Sequence, residues 1–322
     1  MVAALESLLE DETAGDPITG LKWTHKTPEK LSRALGRRGF RIGRTAVRRL
    51  MREQRYRLRV NRKERSRQRH PERNRQMKHI ARQRRAFLRA GFPVISVDTK
   101  KKELIGEFRN PGRTWRRAPR EVWATDFLSD AVGKAIPYGL YDLRHNAGWL
   151  AVGVSHETAA FALQTIRTWW RCVGSGVYPR RKHLLILADG GGANGSGCWQ
   201  WKQGLQGLAN EFGLTITVMH YPPGASKWNP IEHRMFGPIS SNWQGHPLVS
   251  YAVMLKLIRA TKTKTGFTCR AYLDKAEYPT KLKVPVVERA QINLVSHRVR
   301  PNWNYTIKPH PKARKTAQVI SG

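Results

Sequence analysis

The chain has 322 residues, 40% of them apolar and 11 of them Trp, which is enough for about two domains and a sizeable buried core. Its 59 Lys and Arg against 23 Asp and Glu leave a formal charge of +36, which selects a polyanion, above all nucleic acid, as partner. Cys172, Cys198 and Cys269 are too scattered for a disulfide framework or a zinc motif, so a reducing cytoplasm is expected; no signal peptide opens the chain, and no apolar run approaches the ~18 residues of a membrane span.

The opening stretch, "MVAALESLLEDETAGDP", is acidic and weakly helical and reads as the tail of a preceding segment. Basic charge is then concentrated: from Arg37 to Ala90, 22 Lys and Arg stand against 3 Glu, about half of the excess in a sixth of the chain. In "THKTPEKLSRALGRRGFRIGRTAVRRLMREQRY", Thr27 suits a helix cap and Pro28 the first helical position, where a missing N–H costs nothing. Leu31, Ala34 and Leu35 share one face, Gly36 and Gly39 break the pattern, and Phe40 and Ile42 bridge to a second helix predicted over 44–54. That helix is apolar on Val47, Leu50 and Met51 and basic on Arg44, Arg48, Arg49 and Arg52. A short helix, a tight turn and an Arg-faced helix read as a helix-turn-helix whose second helix enters the DNA major groove; the alternative is a solvated helical hairpin.

The next stretch, "RLRVNRKERSRQRHPERNRQMKHIARQRRAFLRAGFP", begins too charged to fold alone and reads as an arm that orders on phosphates. From Pro71 a helix is predicted, with Met77, Ile80, Ala81, Arg84, Phe87 and Leu88 as a narrow stripe that docks on the following domain, and Gly91-Phe92-Pro93 ends it. Its arginines track phosphates, which positions a protein on DNA without specifying sequence. Residues 1–90 are thus expected to form a DNA-binding region and residues 91–322 a second domain.

Past Pro93 the periodicity changes. "PVISVDTKKKELIG" is an apolar strand ending in Asp98, and "IPYGLYDLRHNAGWLAVGVS" reads as two strands around a turn at Arg144–Gly148. "HETAAFALQTIRTWWRCVG" is helical, with Ala159, Ala162, Leu163, Ile166, Trp169 and Trp170 facing in. "HLLILAD" as a strand, "CWQWKQGLQGLANEFG" as a helix, "LTITVMHYPPG" as a strand and "KWNPIEHRMFGPISSNW" as a further helix complete an α/β order. It is that of a ribonuclease H-like layer, although other α/β folds share parts of it.

Asp98 and Asp189 each close an apolar strand, where open α/β sheets place their sites. Glu232 falls in the first turn of a helix, just after Pro230. The alternatives are an Asp-Gly turn for Asp189 and a dipole or capping role for Glu232. Two carboxylates ~4 Å apart repel by about 4 kcal/mol at an effective dielectric of ~20, and a divalent cation would offset that cost. Mg²⁺ takes hard oxygen ligands, commonly one or two carboxylates with substrate phosphates. Two such ions can activate an attacking oxygen and stabilise a leaving one in phosphodiester chemistry.

Five blocks, "VISVDTKKKELIGEFRNPGRTW", "GKAIPYGLYDLRHNAGWLAVGVSHETA", "LADGGGANG", "YPPGASKWNPIEHRMF" and "WNYTI", together resemble the DDE transposases of the ISAzo-thirteen insertion-sequence family. "PPGASKWNPIEH" is also similar to the broader mariner-like group. The resemblance runs from about Lys22 to about Ile307 and implies a ribonuclease H-like catalytic domain with Asp98, Asp189 and Glu232 as its triad, holding Mg²⁺ or Mn²⁺, two ions in all. The 42 residues between Asp189 and Glu232 are more than is typical of mariner-like relatives. The implied reaction is cleavage of DNA at transposable-element ends, leaving a 3′-hydroxyl that attacks target DNA by transesterification. Transposon-end DNA and target DNA are the implied partners, a dimer on DNA the implied assembly, and the bacterial nucleoid within the cytoplasm the implied location. Family members carry a further N-terminal DNA-binding segment before the "KWTHKT" stretch, where this chain has about twenty residues. A truncated copy, an internal-start product and a misannotated reading frame are the alternative readings, and in each the triad can be intact while the recognition of transposon ends is crippled. A non-catalytic DNA-binding remnant acting as a repressor, or a ribonuclease H-like nuclease without strand joining, are the alternative functions.

Around the triad, Lys100 and Lys101 (with Lys102) are placed to meet phosphate, with a solvated strand end as the alternative. The glycines after Asp189 would let DNA or metal approach the backbone, and Asn194 is a candidate DNA contact. Asp126, Asp130 and Asp142 also lie in the catalytic half; Asp126 reads as a surface acid, with assistance to the site as the alternative. His220, His233 and His246 read as structural or as DNA contacts. Trp228 and Trp243 are candidates for stacking on flipped bases, core packing being the alternative. The stretches "ATKTKTG" and "KPHPKARKTAQ" read as nonspecific DNA contacts.

Overall fold

A computed structural model describes residues 1–10, 14–15, 22–23, 26–57, 72–225, 228–280 and 282–311, which divide into two compact units, 1–65 and 66–322. The Arg-rich arm over 58–71 and the tail beyond residue 311 lie outside the described residues.

The first unit holds helices α1 (Val2–Glu10), α2 (Pro28–Arg37) and α3 (Arg44–Glu53), with a short antiparallel pair, β1 (Ala14–Gly15) and β2 (Lys22–Trp23). The opening segment is packed rather than free. Its Leu5, Leu8 and Leu9 are buried with Leu31, Ala34 and Leu35 of α2 and Val47 and Leu50 of α3, so α1 completes a three-helix core. α2 starts as its sequence dictates: Thr27 Oγ1 accepts from the Lys30 N–H at 3.2 Å, and Pro28 takes the first turn. Gly39 turns the chain at φ +87, and α3 leaves Arg44, Arg48, Arg49 and Arg52 exposed on the side away from that core.

The second unit is built on one mixed sheet. Its strands are β3 (Val94–Thr99), β4 (Glu103–Ile105), β5 (Gly133–Asp142), β6 (Ala147–Gly153), β7 (His183–Ala188), β8 (Thr215–His220), β9 (Thr268–Asp274), β10 (Leu294–Ser296) and β11 (Asn304–Ile307). They lie in the order β10-β11-β8-β7-β3-β5-β6-β9, with β4 paired to β5. β3, β5 and β6 form an antiparallel meander, while β7 and β8 run parallel to β3 on its other side. That central five-strand order is the ribonuclease H-like arrangement expected from the sequence. β9, β10 and β11 widen it beyond the predicted strands.

Alternation along the strands sends neighbouring residues to opposite layers. Ile95 and Val97 of β3 face a core shared with α5 (Ala159–Trp169) and α7 (Trp199–Phe212). Val94 faces the other side, where α4 (Arg73–Arg89) packs Ile80, Met77, Phe87 and Leu88 against Leu185, Leu187 and Met219. Farther along that side, α8 (Gly237–Trp243) and α9 (Tyr251–Arg259) cover β5, β6 and β9. α5 continues through a π-helical turn, Trp170–Gly174, into the short α6 (Ser175–Val177), and α10 (Val286–Ala290) precedes β10. All six inward residues predicted for the helical stretch 156–174 are buried. The helix ends are equally local: α4 stops before Gly91 at φ +71 and α7 on Gly213 at φ +64, the left-handed region that favours glycine. Among the described residues no helix is long and apolar enough to cross a membrane.

Candidate active site

Asp98 is the fifth residue of β3, and Asp189 follows the last residue of β7. Because these strands are parallel neighbours with Val97 in register with Ala188, the next residue of each emerges at the same sheet edge. Glu232 arrives from the segment after β8 and heads a π-helical turn, Glu232–Phe236, in which the Gly237 N–H donates to the Glu232 carbonyl. Such turns are frequent at functional sites.

Two residues seat that segment on the strands. The buried Asn229 accepts from Ser96 Oγ at its Oδ1, and its Nδ2 donates to Asp98 Oδ2 at 3.2 Å. The Asn-Pro-Ile-Glu stretch is thereby clamped to β3, and the Glu232 N–H closes on the Asn229 carbonyl at 3.2 Å. Gly139, paired with Asp98 across the sheet, permits the close approach: a Cβ there would stand 2.6 Å from Phe236 Cε1.

All three carboxyl groups are raised, and Asp98 and Glu232 each feel the charge of Asp189. Asp98 is pushed up to about 7, first by burial and then by the charge of Asp189, with a smaller push from Glu232; donation from the Thr99 N–H (2.8 Å) and Asn229 pulls the other way. Asp189 is raised by burial. Glu232 is raised by burial and by the charge of Asp189, against His233 and Lys100. Asp189 is thus the negative centre that its neighbours feel. Like charges disfavouring ionisation are what a bound cation would relieve, and carboxylate oxygens are the hard donors that Mg²⁺ and Mn²⁺ take. The donor set fits such an ion. Among the described residues no group of three or more His, Cys, Asp or Glu side chains is placed to hold a metal ion.

Behind Asp189 lies His220, fully buried. Burial pushes its ring down to about 4, so it is neutral. Its Nδ1–H donates to the Asp189 carbonyl at 2.9 Å, and Nε2 accepts from the Tyr305 hydroxyl at 3.3 Å.

The flanking candidates divide. Lys101 is exposed and lines two clefts, one of about 580 Å³ beside Glu232 and one of about 710 Å³ shared with Lys102, Arg109 and Lys134. Lys100 is not at a solvated strand end: it is 8% exposed, bonded to Glu103 at 2.8 Å, with its Nζ 4.4 Å from the Trp243 ring centroid. Asn194 is buried and accepts from the Tyr138 hydroxyl at 2.7 Å, so in this structure it props the loop after Asp189 from within. Trp243 is core, Trp228 is 44% exposed, and Asp126 and Asp130 are surface acids. Asp142 is buried, accepting from Tyr178 Oη at 2.8 Å. Sequence reasoning gave no role to Ser96, Asn229, Gln76 or Tyr305. Asn229, Ser96 and Tyr305 carried one signal, their places in the Asn-Pro-Ile-Glu, "VISVDT" and "WNYTI" stretches.

An RNase H-like sheet with three acids carried to one edge defines a class of phosphodiester-processing enzymes. The family model described as the Rhodopirellula transposase DDE domain matches residues 4–309. The chain belongs to this family and is a DDE transposase, an enzyme of DNA cleavage and strand transfer. No match emerges among curated proteins. Solved structures similar to it include a mariner Mos1 paired-end complex with Mg (15% identity, 80% of this chain and 69% of that one, TM-score 0.46). A Mos1 paired-end complex with the left transposon end (14%, 80% and 69%, TM-score 0.45) and the Mos1 strand transfer complex (14%, 80% and 68%, TM-score 0.44) are also similar.

Proposed function

We propose that Asp98, Asp189 and Glu232 are the catalytic acids of this transposase, that together they hold two divalent cations, Mg²⁺ or Mn²⁺, and that they act first on transposon-end DNA and then on target DNA. The observation that carries this is the emergence of Asp98 and Asp189 side by side from neighbouring parallel strands, with Asp98 raised to about 7 by burial and by the charges of Asp189 and Glu232. Cations bound there would activate the attacking oxygen and stabilise the leaving one. The chain's own contribution is placement. Asn229 keeps Asp98 Oδ2 aimed away from the Thr99 N–H, which takes the other oxygen. His220 holds the backbone of Asp189. Lys101, at the mouth of both clefts, meets the phosphate of the bound strand.

DNA recognition is assigned to residues 1–90, with Arg44, Arg48, Arg49 and Arg52 of α3 on the groove and the arginines of α4 on phosphates; chemistry is assigned to residues 91–322. The working unit is a dimer on DNA. The test uses DNA carrying the inverted repeats that flank this reading frame, a supercoiled target plasmid and Mg²⁺. Products in which end and target strands are joined support the transposase reaction. Free ends alone would reduce the site to a nuclease, and binding without cutting would reduce the protein to a DNA-binding remnant.

A further inference from the structure

We propose that Gln76, Asn304, His220 and Tyr305 are positioning residues for Asp189, and that through them the seating of helix α4 sets the geometry of the acidic site. The inference rests on the assignment of Asp189 as a cation ligand.

The four side chains come from α4, β8 and β11, distant in sequence and joined only in the fold. Gln76, His220 and Asn304 are each fully buried. Gln76 Nε2 donates to the His220 carbonyl and to Asn304 Oδ1, both at 2.8 Å, and Asn304 Nδ2 donates back to Gln76 Oε1 at 2.7 Å. The His220 N–H donates to the Trp303 carbonyl at 2.9 Å. The backbone of His220 is thus held by α4 and by the chain entering β11, while its ring reaches forward to the Asp189 carbonyl and back to Tyr305.

This bond falls where the chain has the least else to fix it. The last residue of β7 is Ala188, and Asp189 is followed by Gly190, Gly191 and Gly192, which contribute no side chain and restrict the backbone little. A directional bond to the Asp189 carbonyl fixes its peptide plane, and with it the direction of the Cα–Cβ bond that aims the carboxylate. Buried polar networks that are fully satisfied rigidify what they touch and are costly to break. Residues that orient a metal ligand from behind alter metal affinity or activity by about 10–100-fold when mutated. α4 is also strongly basic, with Arg75, Lys78, Arg82, Arg85 and Arg89 exposed. A helix placed to meet DNA phosphates is therefore tied by one glutamine to the residue that aims Asp189.

The test measures Mn²⁺ affinity of the full chain by titration calorimetry, alongside DNA affinity in EDTA, for Gln76→Leu, His220→Leu, His220→Asn and Tyr305→Phe. Asn is chosen because its amide N–H can replace the ring Nδ1–H. Gln76→Leu and His220→Leu should weaken Mn²⁺ binding roughly tenfold or more with DNA affinity unchanged, and His220→Asn should recover most of the loss. A fall in thermal midpoint with Mn²⁺ affinity unmoved would assign these residues a purely structural role and overturn the proposal. Should the Leu variants not fold, Tyr305→Phe, which deletes a single hydroxyl, decides: it must weaken Mn²⁺ binding in the same direction, and unchanged affinity overturns the proposal. Asp189→Asn is the control. If Mn²⁺ affinity survives that substitution, the assignment of Asp189 fails rather than the relay behind it.

Discussion

Replacing Asp98 by Asn should stabilise the metal-free protein at neutral pH while abolishing cleavage. The Asp98 carboxyl is raised from 3.8 to about 7 in the folded chain. Between those values the folded state retains a proton that the unfolded chain has released. The stability associated with Asp98 is therefore fully present below pH 4 and is lost as pH rises through 7. At 1.36 kcal/mol per pKa unit the loss is about 4 kcal/mol as an upper bound. Two effects reduce what the mutant regains. The amide cannot accept from both the Thr99 N–H and Asn229 Nδ2, costing about 1 kcal/mol, and Asp189 and Glu232 still repel each other. A gain of about 2 kcal/mol at pH 8 remains, or a thermal midpoint higher by roughly 4–8 °C for a unit of this size. The assay is thermal unfolding in EDTA from pH 4 to pH 8, wild type beside Asp98→Asn. The advantage of the mutant should grow with pH. At a hundred times its dissociation constant, Mg²⁺ should stabilise wild type by about 2.7 kcal/mol and the mutant by much less. A mutant equally or less stable at every pH would refute the claim that burial and the neighbouring acids hold the Asp98 carboxylate at a cost.

Asn229→Ala removes both the Ser96 and Asp98 contacts and should cost about 1–3 kcal/mol by chemical denaturation, with cleavage falling while DNA binding persists. Gly139→Ala must displace Phe236 from a Cβ only 2.6 Å away. It should cost about 1–3 kcal/mol as overpacking and reduce cleavage, whereas Ala at Gly176, which has open space, should do neither. Arg48→Ala and Arg52→Ala should each flatten the dependence of log K on log salt by about 0.9 per lost phosphate contact, read by gel shift across a salt series. An unchanged slope would remove that arginine from the DNA interface.

The strands that carry the acids were legible because each is a short apolar run closed by an aspartate, a pattern that survives any uncertainty about neighbours. The start of α2 was legible to the residue, since the capping Thr27 and Pro28 act locally. What the sequence hid is polar and buried. Gln76 and His79 lie on the packed face of α4, but a stripe drawn from apolar residues passes them over. Lys100 and Asn194 look like surface contacts because a lysine and an asparagine usually are. Their burial depends on Glu103, Trp243 and Tyr138, partners the fold brings in. The packing of the opening helix was hidden for a related reason: nine residues with one leucine face mean little until α2 and α3 supply the other side.

The most direct measurement is nicking of inverted-repeat DNA in Mg²⁺ by wild type and by Asp189→Asn, with binding followed in the same samples. Metal-dependent nicking at the repeat ends by wild type, lost in Asp189→Asn while binding persists, is the predicted result. Nicking that survives in Asp189→Asn would contradict the assignment of the acidic edge as the catalytic site.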